Sequence, residues 1–138
     1  MLTSRQQTRD GTRSRVFPAV PQSLAAVRVF LRERCAEAAL SGRATDDVIL
    51  AASEASSNAV LHSGGRSFQL SWRRRGDRIE IRVRDQGRFH RAVATDPDRH
   101  GGNGIPLMTA LMDEVTVRRG TARRPGTDVR LVKDLSRA

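Results

Sequence analysis

Cysteine occurs once in this 138-residue sequence, at Cys35, and lysine once, at Lys133. A lone cysteine excludes an internal disulfide and a cysteine-based zinc cluster. Its flanks, Arg34 and Ala36-Glu37, are those of a helical core position, where a thiol packs rather than reacts. Aromatic residues make up 4%. Phe17, Phe30, Phe68, Trp72 and Phe89 do not interleave with basic residues as a base-stacking platform requires. Apolar runs are short, as in Val48-Ile49-Leu50-Ala51-Ala52, so no segment reads as a membrane span. The first thirteen residues carry no apolar stretch that would serve as a signal peptide. A cytoplasmic location is the expectation.

What is present is one domain's worth of chain with a soluble, rather polar composition. Lys plus Arg is 25 against 15 acids, a formal charge of +10. Such a balance raises nucleic acid as a partner. The positive charge is nearly all arginine and is scattered along the chain, a bias of composition as much as a binding design. Arg73-Arg74-Arg75 runs into Gly76-Asp77 and Arg78, which reads as a solvated hairpin tip. The pattern argues against specific nucleic-acid binding, and nothing in it calls for a membrane.

Residues 1–13 are polar and aperiodic and read as a flexible basic tail, with a single domain over 14–138. Arg15 to Val20 reads as a short edge strand, because Pro18 has no N–H to donate. Leu24, Val27, Leu31, Cys35 and Ala38 repeat every three or four residues, which predicts an amphipathic helix ended by Gly42. Thr45 is the expected N-cap of a second helix, with Asp46 and Asp47 in its first turn, running to His62. Ser67–Trp72 and Ile79–Arg84 alternate as strands joined by a tight turn. Residues 86–100 form a long aperiodic loop. A short helix over Ile105–Met112 and strands over Glu114–Arg118 and Asp128–Val132 complete the order. This is an α+β architecture, helices on one side of a mostly antiparallel sheet.

Three clusters carry chemistry. Glu54, Asn58 and His62 recur every four residues and share one stripe of the second helix. The stripe lies beside Val48, Ala52, Ala55 and Ala59, with Leu50 and Leu61 on its other flank, so it should look into a cavity. A carboxylate there can act as general base and a neighbouring amide oxygen can hold Mg²⁺. Asp85-Gln86-Gly87 stands where a strand meets the long loop. Its carboxylate can accept from the amino group of a base, and Gly87 lets a flat ring approach the backbone. Gly101-Gly102-Asn103-Gly104 opens into Ile105-Pro106, where backbone N–H groups and a helix dipole can cradle an anion. The Gly-Lys-Ser/Thr phosphate loop is missing, and no strand directly precedes these glycines, so a nucleotide site here is of another class. The three histidines, His62, His90 and His100, fit no metal-ligand spacing.

Taken in order, Glu54 and Asn58, Asp85-x-Gly87, the long loop, Gly101-Gly102-x-Gly104 and Gly126-Thr127 before the last strand form a specific set. That set resembles the GHKL (histidine-kinase-like) ATPase superfamily. The short length, the string Ser53-Glu54-Ala55-x-x-Asn58-Ala59-Val60 and Gly-Gly-x-Gly-Ile point to its anti-sigma-factor serine kinases. The resemblance covers roughly residues 15 to 133. It implies an ATP-binding sandwich of the Bergerat type with residues 86–100 as a lid. It further implies that Asn58 binds Mg²⁺ bridging the phosphates and that Glu54 is the base acting on the attacking hydroxyl. Asp85 would take the adenine amino group with Gly87 and Thr127 beside the base. Gly101, Gly102, Gly104 and the amide of Ile105 would hold the phosphates. The pattern departs at one place, since Phe89 stands where the family often has glycine. No phosphoacceptor histidine in a dimerisation helix is present, which sets the sequence apart from sensor kinases. The implied function is phosphorylation of an antagonist protein and sequestration of an RNA polymerase sigma factor, and relatives commonly pair as homodimers. The alternative is a catalytically weak, ATP-gated regulatory module.

Overall fold

The structure, a computed structural model, describes residues 6–7, 11–62, 65–85, 104–121, 123 and 125–137. Alternating apolar positions make the strands. In β3 (Ser67–Arg75) Phe68, Leu70 and Trp72 are buried, and in β4 (Arg78–Asp85) Ile79, Ile81 and Val83 are buried. The parity of a pleated strand puts each set on one face. Gly76 takes a φ of 55° in the two-residue connection between them, a backbone conformation suited to this hairpin. β2 (Arg13–Pro18) pairs with β3, and β1 (Gln6–Gln7) pairs with Ser14 and Arg13 of β2. The last strands are β5 (Glu114–Arg119) and β6 (Thr127–Asp134), followed by a 3₁₀ turn over Leu135–Arg137. The sheet order is β1-β2-β3-β4-β6-β5, and every ladder is antiparallel. Strand β6 therefore slots between β4 and β5, although β5 comes first in the chain.

The inward face of the sheet is covered by α1 (Ser23–Glu37), α2 (Gly42–His62) and α3 (Gly104–Leu111), which gives the expected two-layer α+β fold. Phe17 of β2 stacks on Phe68 of β3 at 5.6 Å and meets Phe30 of α1 edge-on at 6.4 Å, so a few aromatics join the first helix to the sheet. On the outward face, arginines are answered by acids across the strands. Arg130 donates to Glu80 at 2.7 Å and Arg84 to Asp128 at 3.2 Å, with Arg78 on Glu114. No helix among the described residues is long and apolar enough to cross a membrane.

The boundaries correct four local expectations. The tail read over residues 1–13 contains the paired residues Gln6–Gln7, and Arg13 already belongs to β2. The first helix does not run to Gly42 but ends at Glu37, with Ala38 as its C-cap. Beyond it Leu40 N–H donates to the Cys35 carbonyl at 3.1 Å and Ala39 N–H to that of Ala36 at 3.0 Å, the Schellman arrangement. Ala39 sits in the left-handed region at φ 54°. Gly42 instead opens α2, and the cap is Ser41 rather than Thr45, since the Ala44 amide donates to Ser41 Oγ at 3.1 Å. The Thr45 side chain instead hydrogen-bonds the Cys35 thiol. That thiol is fully buried, and desolvation pushes its pKa up to about 11 against the smaller opposing effect of Thr45, so it stays protonated at neutral pH.

Ala39 occupies a position where glycine avoids the Cβ clash, a strain of about 1–2 kcal/mol. Ala39→Gly is expected to stabilise the fold by about 1 kcal/mol after the added unfolded-chain entropy is subtracted. Urea denaturation checks this. A midpoint equal to or below that of the parent contradicts it.

Candidate functional site

The inward alternation of β4 does not stop at Val83. Asp85 follows in the same parity, is buried, and stands at the end of the strand. The β4–β6 register sets it opposite Thr127, and the β3–β4 register sets it opposite Phe68. Thr127 Oγ1 is buried without a hydrogen bond among the described residues, and Asp85, which has interactions of its own, is buried opposite it. A buried carboxylate and a buried hydroxyl opposite each other at a strand end offer acceptor oxygens to the amino group of a ligand.

Glu54 and Asn58 are half-buried on α2, one turn apart. Helix α3 begins against them. A Cβ placed on Gly104 would stand 3.1 Å from Glu54 Oε2 and 3.2 Å from Asn58 Nδ2, closer than side chains ordinarily pack. The absent side chain at Gly104 is what lets the start of α3 approach the two polar groups. The structure thus joins Glu54, Asn58 and Gly104 in one place. Ile105 follows as an exposed residue in the first turn of α3, where backbone amides lack helical partners. Gly87, Gly101 and Gly102 lie outside the described residues, as do Phe89, His90, His100 and the loop over 86–100.

The flank of the Glu54 stripe differs from expectation. Leu50 is 49% and Leu61 66% exposed, so the stripe is walled on the side of Ala52, Ala55 and Ala59 and open on the other. A helix covering its apolar side with three layers of alanine needs no second wall. The cavity of about 940 Å³ at the sheet end is lined by the inward residues Phe68, Asp85 and Thr127 together with outward ones such as Gln69, Arg84, Arg118 and Asp128. Neither Glu54 nor Asn58 lines it.

No group of three or more His, Cys, Asp or Glu among the described residues could hold a metal by itself. Glu54 and Asn58 offer only two side chains with oxygen donors. That suits Mg²⁺, which usually keeps waters and takes one or two protein ligands together with substrate phosphates. The sequence signalled Glu54, Asn58 and Asp85 by spacing and position, but not the contact of Gly104 with α2. The resemblance implied Thr127 near Asp85, but the cross-strand pairing that joins them depends on where β6 inserts.

Comparison with known proteins identifies the family. The family model for the histidine kinase-like ATPase domain matches residues 17–133. The serine-protein kinase RsbW of Staphylococcus epidermidis is 32% identical over 130 residues, covering 81% of each chain. The same match recurs in strains of that species. A crystal structure of the RsbU and RsbW domains of Rv1364c from Mycobacterium tuberculosis superposes with a TM-score of 0.69 at 23% identity. It covers 88% of this chain and 32% of that one, a likeness of fold. The chain belongs to the histidine kinase-like ATPase family and, within it, is similar to the RsbW-type serine-protein kinases.

Proposed function

We propose that this protein is an ATP-dependent protein-serine kinase of the anti-sigma-factor type. It phosphorylates an antagonist protein on serine and, in another state, sequesters an RNA polymerase sigma factor in the cytoplasm. The observation that carries the reading is the approach of Gly104 to Glu54 and Asn58. It sets a carboxylate, an amide and a helix start at one point, and transfer of a phosphoryl group needs mainly positioning and charge neutralisation.

In this reading Asp85 accepts from the adenine amino group, with Thr127 and Gly87 beside the base. Gly101, Gly102, Gly104 and the Ile105 amide receive the phosphates. Asn58 supplies an oxygen to Mg²⁺, which when bound neutralises phosphate charge. Glu54 accepts the proton of the serine hydroxyl as its oxygen bonds to the γ-phosphorus. The bond from that phosphorus to the bridging oxygen breaks, and ADP leaves with the electron pair. The similarity to RsbW, a serine-protein kinase, supports the serine acceptor.

Three outcomes test the assignments. Asp85→Asn is expected to weaken ATP and ADP alike, by about 1.5–3 kcal/mol for a charge-assisted bond. GTP presents a carbonyl at that point and should be rejected by the parent protein. Calorimetry showing equal affinity for GTP and ATP would remove the adenine role of Asp85.

ATP should bind more tightly with Mg²⁺ than without, and Asn58→Ala should erase the difference. If the parent binds ATP equally in the presence of a chelator, Asn58 has no metal to hold.

Glu54→Gln keeps the shape of the side chain but cannot take a proton. Phosphoserine formation on a co-encoded antagonist is expected to fall by about 10²–10⁴-fold, with ATP affinity nearly intact. Unchanged transfer excludes Glu54 as the base. If the parent transfers no phosphate to any such antagonist, the kinase reading fails and an ATP-gated regulatory module takes its place.

A further inference from the structure

The single lysine of the chain does not face solvent as a surface cation would. Lys133 lies on the inward side of β6, opposite Ile79 of β4. Its Nζ donates to Asp47 Oδ2 of α2 at 3.0 Å and to the Leu111 carbonyl of α3 at 2.7 Å. The side chain is 18% exposed, and that of Asp47 24%. One ammonium therefore ties three elements together. It also sits at the carbonyl end of α3, where positive charge is favoured by the helix dipole.

The other end of α3 is the functional one. Gly104 packs against Glu54 and Asn58, whereas Leu111 is held at Asp47. Chain direction is thus opposite in the two helices, and α3 lies along α2 antiparallel. The lengths agree. At 1.5 Å per residue, Gly104 to Leu111 spans about 10 Å, and Asp47 to Glu54 on α2 spans the same. Asp47, Glu54 and Asn58 also fall within about 40° on the helix wheel at 100° per residue, so they share the face that α3 covers. Between the two ends Ala51 and Ala55 are buried, leaving room for the buried Met108. A helix of eight residues has few internal bonds of its own, so its placement depends on what grips its ends.

We propose that Lys133 is a positioning residue: by clamping Leu111 to Asp47 it sets how far along α2 the start of α3 reaches. It thereby sets the approach of Gly104 and the Ile105 amide to Glu54 and Asn58. This rests on the reading of that site as the phosphate end of an ATP pocket. Lys133 touches no reacting atom. Its influence runs through the α3 rod and falls on the phosphates, not on the base held by Asp85 and Thr127.

The test compares the full-length parent with Lys133→Met, which keeps the apolar stem, and Lys133→Arg, which keeps the charge and donors. Hydrogen exchange on nucleotide-free protein should show the α3 amides of Lys133→Met exchanging about tenfold faster, with β3 and β4 amides unchanged. Affinity for ATP with Mg²⁺ should fall about tenfold, the loss expected of one charged hydrogen bond, while affinity for adenosine stays level. Lys133→Arg, which returns the charge with a longer and more rigid reach, should recover only part of the ATP affinity. Unchanged exchange in α3, or equal losses for ATP and adenosine, overturns the proposal, since a general loss of stability would move both ligands together. If the parent binds no ATP, the ATP-site reading falls. The exchange measurement still decides, by the same criterion, whether Lys133 fixes α3.

Discussion

The antiparallel ladder between β4 and β6 governs both ends of the site. On its inward side the pairs run from Asp85 with Thr127, through Val83 with Val129 and Ile81 with Leu131, to Ile79 with Lys133. The two apolar pairs in the middle are core. The end pairs, which bring in Asp85 and Thr127 at one end and Lys133 at the other, lie about 20 Å apart at the strand rise. Sliding this ladder by one residue would turn Thr127 and Lys133 outward and bury Asp128 and Arg130 instead. The cost of burying those charges is what fixes the register. The same energetics that assemble the core therefore also place Asp85, Thr127 and Lys133.

Helix α2 couples that ladder to α3. Its covered side is built from Ala51, Ala52, Ala55, Ser56 and Ala59, all buried. Small side chains bury little area each, but they let neighbouring backbones come close, and close backbones are what bring a helix start to Glu54 and Asn58. Larger core volume is supplied elsewhere, by Phe17, Phe30 and Phe68 under α1. The chain thus divides its packing. Aromatic bulk secures α1 to the β2–β3 side, and thin alanine contacts secure the side of Glu54 and Asn58.

Much of this division was readable from local pattern. The alternation of β3 and β4 gave both strands, and carrying the parity of Ile79, Ile81 and Val83 one step further turns Asp85 inward. The four-residue spacing of Glu54 and Asn58 placed them on one stripe of α2. The misread places are those where two local signals competed. Thr45-Asp46-Asp47 looks like a helix start, yet Ser41 caps α2, and Thr45 is occupied by the thiol of Cys35. Gly42 looks like a helix stop, yet Ala39 takes the left-handed turn. The rest was not legible because it is non-local. Which strand lies beside Asp85, and which carbonyl Lys133 reaches, depend on β6 passing inside β5. Of Lys133 the sequence offered only its rarity.

That rarity has a physical sense in so arginine-rich a chain. On the outward face, Arg130 and Arg84 pair with Glu80 and Asp128 from neighbouring strands, where a planar fork spans two acceptors well. The place between α2, α3 and β6 asks for something else. The acceptors there are a carboxylate on one helix and a carbonyl at the end of another, converging on a single point. A compact ammonium with three rotatable donors satisfies both without the rigid geometry of a guanidinium. Arginine would reach further and hold the two acceptors further apart. Because α3 starts against Glu54 and Asn58 with no side chain to spare at Gly104, even a small displacement at Leu111 would be felt at the other end of the rod. The compactness of the cation at the closed end of α3 and the lack of a side chain at its open end serve the same short distance.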